Sequence, residues 1–282
     1  MEKTGLIIDS TVYLPENVIK ERDIAVVPLN VIEGENVYKE TDITPQFVYD
    51  ELDAGRKLST SQPSPEQFRE AYARMFEKGY EKLVVITISN GLSGTYQSAL
   101  LAKELIDRAS DVHVFDTQNA GFGNELLALE FLRFLDGAES LQEAIRRTEE
   151  VIRKTQLFFT VENLFSLQKG GRLSKRSALL GTVLRIRPII RLVDGELVLV
   201  HKERTTKRLQ RYILKMIKDD AQDAEEVRVR MVHRRSPDMV ESLKSMIEET
   251  FRKVEVTITD YIGPVFAIHI GKKGFGVAWY AV

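Results

Sequence analysis

Residues 82–96 read Lys-Leu-Val-Val-Ile-Thr-Ile-Ser-Asn-Gly-Leu-Ser-Gly-Thr-Tyr. The first seven are dense in aliphatic and β-branched side chains, the pattern of a strand buried on both faces. A polar turn with two glycines follows, and a helix is predicted over 94–108. The same strand-turn-helix rhythm extends outward. Residues 4–9 read as a buried strand, Pro15 opens a helix over 16–22, and 24–32 is a second apolar run. Thr44-Pro45 starts a helix, with Thr44 as N-cap and Pro45 in the first helical position. Ser64-Pro65-Glu66-Gln67 is a capping box whose helix runs to about residue 78. A strand at 112–116 precedes helices over 121–135 and 141–154. Such alternation predicts a mostly parallel sheet wrapped by helices. Ligands of such sheets sit outside the carboxyl ends of the strands. Here those ends are Asp9-Ser10-Thr11, residues 89–93 and residues 116–119.

The rhythm changes after residue 155. A strand at 157–161 and a helix at 162–169 lead to Gly170-Gly171. Strands at 189–193 and 196–200 flank Asp194-Gly195, a type I′ hairpin dipeptide. A helix (205–218), a strand (227–232), a helix (237–249) and strands at 254–259 and 274–282 complete the chain. This order predicts an α+β layer with a mixed sheet. The expected division is an N-terminal α/β domain over 1–155 and a C-terminal α/β domain over 156–282.

Bulk properties narrow the function. The 282 residues, 43% apolar, suffice for about two domains with their own cores. Lys plus Arg number 40 against 42 Asp plus Glu, a net charge of −2. That balance argues against global attraction to nucleic acid and leaves room for a local patch. The absence of cysteine excludes disulfides, thiolate metal sites and thiol nucleophiles. Of four histidines, none lies two to four residues from another, which argues against a histidine metal cluster. The apolar run at 6–8 is too short for a signal peptide core, and no stretch approaches the roughly 20 apolar residues of a membrane span. A cytoplasmic protein is expected.

Three loops carry candidate chemistry. In Ile88-Ser89-Asn90-Gly91-Leu92-Ser93-Gly94-Thr95-Tyr96, Ser93 stands at a helix start, where unpaired N–H groups and the helix dipole attract anions. The competing reading makes Ser93 a plain N-cap. The stretch is not a phosphate-binding P-loop, lacking G-x-x-x-x-G-K-[ST]. Ser59-Thr60-Ser61-Gln62-Pro63-Ser64-Pro65 supplies more hydroxyls, or simply leads into a capped helix. His269 lies between an apolar run and the turn Gly271-Lys272-Lys273-Gly274, as a ligand contact or as a satisfied core histidine. A basic stretch runs through Lys169, Arg172, Lys175, Arg176, Arg185, Arg187 and Arg191, with Lys202, Arg204, Lys207, Arg208 and Arg211 beyond it. It reads as a solvated face, or as one turned toward an anion, a phosphate-bearing partner or a membrane surface. A serine hydrolase would join Ser93 and His269 to Asp9 or Asp116. The elbow G-x-S-x-G fails, because Thr95 stands where its last glycine belongs. A nucleic-acid-binding regulator would use the basic stretch, but no helix-turn-helix or aromatic platform accompanies it.

Taken together and in order, these elements resemble the DegV family of fatty-acid-binding (FakB-type) proteins. The matching residues are Asp9-Ser10-Thr11 with Leu14-Pro15, Thr60-Ser61-Gln62-Pro63-Ser64, and Gly91-Leu92-Ser93-Gly94-Thr95-Tyr96-Gln97-Ser98-Ala99. Gly170-Gly171-Arg172-Leu173-Ser174, Arg187-Pro188-Ile189-Ile190, Arg204, and Gly263-Pro264 through His269 and Gly271 complete the set. The resemblance implies a Rossmann-like N-terminal domain, a C-terminal α/β domain and one long-chain fatty acid, palmitate- or oleate-like, between them. It implies a carboxylate held at Ser61 and Ser93 with Thr60, Gly94 and His269 beside it, and no cofactor or metal. It implies a carrier rather than an enzyme. The loaded carrier would present the carboxylate to an ATP-dependent kinase subunit for acyl-phosphate formation, with Arg172 and Arg204 in docking or transfer. Transient membrane-surface contact fits the same role, and nucleic acid does not. Three positions depart from the pattern: Asn90 for a serine, Ala267-Ile268 for Gly-Thr, and Lys272-Lys273 in a turn that is otherwise Gly-Pro-Gly. The lysines are expected to add positive charge near the head group. Phe158, Phe159, Phe165, Leu179 and Leu184 are candidates for the tunnel wall or for ordinary core.

Overall fold

The computed structural model describes residues 2–162, 164–174, 186–222 and 224–282. The first half carries strands β1 (Thr4–Asp9), β2 (Ala25–Val27), β3 (Asn30–Glu33), β4 (Asn36–Lys39), β5 (Leu58–Ser61), β6 (Lys82–Thr87) and β7 (Val112–Asp116). Its helices are α1 (Glu16–Glu21), α2 (Pro45–Asp53), α3 (Pro65–Glu77), α4 (Thr95–Glu104), α5 (Phe122–Gly137) and α6 (Leu141–Lys154). The second half carries β8 (Gln156–Val161), β9 (Arg187–Val193), β10 (Glu196–Glu203), β11 (Val227–Arg234), β12 (Val254–Thr259) and β13 (Gly274–Ala281). Its helices are α7 (Phe165–Lys169), α8 (Thr206–Asp220), α9 (Pro237–Glu248) and α10 (Pro264–Ile270).

The parallel sheet has the order β2-β1-β6-β7. Alternation along its strands feeds two cores. Ile7, Leu83 and Val85 meet Phe68, Tyr72 and Ala99 of α3 and α4. Leu6, Ile8, Val84 and Ile86 meet Leu127, Phe131 and Ala144 of α5 and α6. Strand order reverses at β1 and β6, so the crevice expected of this topology opens beyond Asp9 and Thr87.

A mixed sheet of order β10-β9-β8-β13-β11-β12 is antiparallel except for the β11–β12 pair. Helices α8 and α9 cover it through Leu209, Ile213, Val240 and Leu243. Helices α5 and α6 also contact β13, and Tyr280 of β13 enters the core of the first half. Helix α5 therefore lies between the two large sheets. At the β9–β10 turn Asp194 (φ 51°) and Gly195 (φ 78°) both adopt positive φ, as a type I′ hairpin requires.

The third sheet corrects the reading of 24–32 as one run. It is antiparallel, of order β4-β3-β5. The run breaks at Pro28, which has no N–H to continue a ladder, so β2 stays in the parallel sheet and β3 leaves it. Ser59-Thr60-Ser61 is not a lead-in to the capped helix but strand β5. Residues 264–270, to which the sequence assigned no element, form α10. Pro264 occupies its first turn and Gly271 (φ 79°) ends it. Two helices are shorter than expected: α4 ends at Glu104 and α7 begins at Phe165. No helix among the described residues is long and apolar enough to cross a membrane.

Candidate functional site

The crevice leads into a cavity of about 1010 Å³ whose wall draws on all three sheets. Most of its lining is apolar, including Ile88, Phe159, Leu197 and Phe266. Thr60, Ser61, Gln62, Ser93, Arg172 and His269 also line it. Two loops and two elements distant in sequence thus converge.

Each side chain there has a structural reason for its place. Strand β5 aligns Ser61 opposite Asn30 of β3, and Asn30 Nδ2 donates to Ser61 Oγ at 3.2 Å. Ser93 precedes the cap of α4, which is Gly94 rather than Ser93. The plain N-cap reading of Ser93 is thereby corrected: its hydroxyl pairs with Thr95 Oγ1 at 2.8 Å and lines the cavity. Gly94 leaves room for Gln62, since a Cβ there would stand 2.5 Å from the amide. Asp9 acts as a brace, with one carboxylate oxygen accepting from Thr11 and the other from Ile88 N at 2.6 Å.

His269 is the sixth residue of α10. Its Nε2 lies 2.9 Å from Thr60 Oγ1, and Gly170 faces its Nδ1 so closely that a Cβ would come within 2.9 Å. Burial, reinforced by the Arg172 charge, pushes the imidazole down to about 4. It is neutral at pH 7 and offers one N–H donor without adding charge. A folded pKa below the ordinary 6.5 means that the unfolded chain binds the proton more readily. Stability is therefore retained above pH 6.5 and lost as pH falls toward 4. Against a His269→Gln variant, wild type is expected to lose on the order of 2–3 kcal/mol between pH 7 and pH 4 in urea melts. A constant difference across that range contradicts the burial argument.

Arg172 joins the two halves at this site. Its Nη1 donates to Gly170 O at 2.7 Å and its Nε to Leu92 O at 3.3 Å. Arg204 lies elsewhere, exposed in the turn between β10 and α8, and takes no part in the cavity wall. Lys272 pairs with Asp53, so it does not supply head-group charge, and Lys273 is exposed. Of the tunnel candidates, Phe159 lines the cavity. Phe158 stacks on Trp279 in the core, and Phe165 is 67% exposed. Leu179 and Leu184 lie outside the described residues, as do Lys175, Arg176 and Arg185 of the basic stretch. Arg191 is held by Gln156 and lies over the Phe158 ring. The basic stretch thus does not present one continuous face among the described residues.

Sequence reading missed a second polar group. The buried Glu40 carboxylate accepts from Ser10 Oγ, from the Tyr13 hydroxyl at 2.8 Å and from Val265 N at 3.0 Å, fixing the first turn of α10. Burial pushes Glu40 up to about 7. Nothing around residue 40 in the sequence signals this, because its partners come from residues 10, 13 and 265. No cluster of three metal-ligating side chains occurs among the described residues.

Fold and site define an α/β protein with a parallel and a mixed sheet and a largely apolar cavity that has hydroxyls and a neutral histidine in its wall. The chain belongs to the DegV family: the family model described as Uncharacterised protein, DegV family, matches residues 3–282. A DegV domain-containing protein of Halalkalibacterium halodurans is 32% identical over 282 residues, covering 99% of each chain. Solved structures share the whole fold, and two serve as examples. A DegV family protein from Thermus thermophilus, described by its fatty acid binding, has a TM-score of 0.90 at 29% identity, covering 99% of this chain and 100% of that one. DegV of Bacillus subtilis, described as a fatty acid binding protein, has a TM-score of 0.86 at 27% identity, covering 100% of both.

Proposed function

We propose that this chain binds one long-chain fatty acid between an N-terminal domain (1–155) and a C-terminal domain (156–282), and carries it within the cytoplasm. The observation that carries the reading is the apolar cavity with a cluster of neutral and cationic donors in its wall. The likeness to fatty-acid-binding relatives supports it. Burying about 14 methylenes at roughly 0.8 kcal/mol each offers on the order of 11 kcal/mol before the costs of association. The head group needs donors, since a buried carboxylate without partners is costly. Ser61, Ser93, Thr60, His269 and the start of α4 at Gly94 supply them, and Arg172 adds charge. Arg172 and Arg204 take different parts in this reading. Arg172 faces the bound carboxylate. Arg204, with the exposed Lys202, Lys207, Arg208 and Arg211, forms a basic face for a kinase subunit that turns the carboxylate into an acyl phosphate, or for an anionic membrane.

A hydrolase reading has no assembled triad behind it. His269 Nε2 faces Thr60, Ser93 pairs with Thr95, Asp9 accepts from the backbone N–H groups of Thr11 and Ile88, and Asp116 accepts from those of Asn90 and Gln118. Ser93→Ala tests the carrier reading. A hydrogen bond to a charged acceptor contributes roughly 1.5–3 kcal/mol, so the variant should bind palmitate about 10- to 100-fold more weakly with an unchanged melting curve. Equal affinity in a competition assay removes Ser93 from the site.

A further inference from the structure

We propose that the cavity holds a second polar subsite, down the acyl chain from His269, where Glu125 and Thr257 receive a hydroxyl group on the lipid. The inference rests on the fatty-acid reading above and names the class of lipid. Glu125 lies in the first turn of α5, is 7% exposed and lines the cavity. Its closest cation, Arg230 of β11, stands 3.9 Å away, beyond hydrogen-bonding distance. Arg230 Nη1 is engaged elsewhere, donating to Thr257 Oγ1 at 2.9 Å and to Glu255 Oε1 at 3.3 Å, while Nε, the atom nearest Glu125, has no hydrogen-bond partner. No described residue hydrogen-bonds the Glu125 carboxyl.

Other buried carboxyls differ. Glu40 and Asp9 each accept three hydrogen bonds, and Glu130, on the same helix, accepts from Arg228 at 2.7 Å and from Tyr280. Buried polar groups in native proteins have partners, so a carboxyl facing a ligand cavity without one marks a place for a ligand atom.

Position and chemistry indicate which atom. Phe266, one turn before His269 on α10, packs on Gly121, where a Cβ would lie 2.5 Å from its ring. Glu125 stands one further turn, about 5.4 Å, along α5. His269, Phe266 and Glu125, with Gly121 between the last two, thus follow one another along the cavity wall, and we place the head group at the His269 end and the tail at the Glu125 end. Thr257, exposed on the edge strand β12, also lines the cavity and puts the subsite on the cavity's solvent-facing side. Its oxygen accepts from Arg230, which leaves its O–H free to donate. A hydroxyl is a donor and an acceptor at once, and so matches Glu125 and Thr257 together. Burial raises Glu125 to about 7, and both its protonated and its ionised forms bond a hydroxyl. A second carboxylate on the lipid would meet repulsion there.

The test is a competition on delipidated full-length protein between stearate and positional isomers of hydroxystearate, with bound lipid read by mass spectrometry. Wild type should favour at least one mid-chain hydroxy isomer by about tenfold or more, the worth of one charge-assisted hydrogen bond. Glu125→Leu should reverse that order while still taking up stearate. Glu125→Gln, which can still bond a hydroxyl, should keep part of the preference. A wild type that favours stearate over every hydroxylated isomer overturns the proposal, whether or not the leucine variant folds. So does a preference that survives in Glu125→Leu. Uptake of neither lipid by wild type overturns the fatty-acid reading itself, and this proposal with it.

Discussion

Ala120→Trp is expected to leave the protein folded and unable to retain lipid. Ala120 is 8% exposed, follows β7 and the Thr117–Asn119 turn, and lines the cavity beside Phe122. The turn that holds it is fixed independently of its side chain: Ser89 N donates to Asn119 O at 2.8 Å, and Thr117 Oγ1 donates to Thr87 O at 2.8 Å. Ala120 packs beside Ile88, Leu157 and Leu167 on one side and borders the cavity on the other, so the cavity takes up part of a larger side chain and the overpacking penalty of about 1–3 kcal/mol seen in full cores applies in part. The cost to binding is larger. An indole that displaces about five methylenes removes about 4 kcal/mol, roughly a thousand-fold in affinity. Lipid retention measured beside a thermal melt separates the two effects. Retention at the wild-type level would place the acyl chain somewhere other than this cavity.

Gly91→Ala should instead damage the fold at the junction of the two halves. A Cβ at Gly91 would stand 2.5 Å from the carbonyl oxygen of Gly195 and 2.9 Å from its carbon, both backbone atoms that cannot turn aside. Gly195 itself is held at φ 78° in the tight β9–β10 turn, and its carbonyl accepts from Ser89 Oγ at 2.8 Å. The loop bearing Ser93 and the hairpin tip of the second half are thus in direct contact. Alanine must push them apart, at about 1–3 kcal/mol, and shift the Ser93 hydroxyl with them. Gly137→Ala is the control: nothing lies within 4 Å of its added Cβ, at the end of α5, and it should be neutral or slightly stabilising. Equal melting temperatures for the two variants would contradict this account of the junction.

The parts of the fold legible in the sequence were those whose physics is local. Residues 83–86 are buried on both faces, so β6 announces itself as an unbroken apolar run. Ser64 and Gln67 form the reciprocal capping box their spacing predicts, and Asp194-Gly195 forms its hairpin. Strand β5 was hidden because its Ser-Thr-Ser composition resembles a turn and its partner, β3, lies some thirty residues away. Helix α10 has seven residues, too few for a helical period to stand out from an apolar run. The same divide runs through the site. Ser61, Ser93 and His269 were named because hydroxyls, glycines and a lone histidine are visible in sequence, and all three line one cavity. Asn30, Glu40 and Glu125 gain their significance only from residues that folding brings to them. Arg172, expected in docking or transfer, lines the cavity, in a place set by its contact with Leu92 across the two halves, which the sequence does not show.

One measurement bears on the central claim most directly. Purified protein is denatured, extracted into organic solvent and analysed by mass spectrometry, and the delipidated protein is then offered palmitate and oleate. The cavity and the donors around His269 predict close to one long-chain fatty acid per chain, recovered from the purified protein or taken up on addition. No extracted lipid and no uptake of either acid would contradict the account.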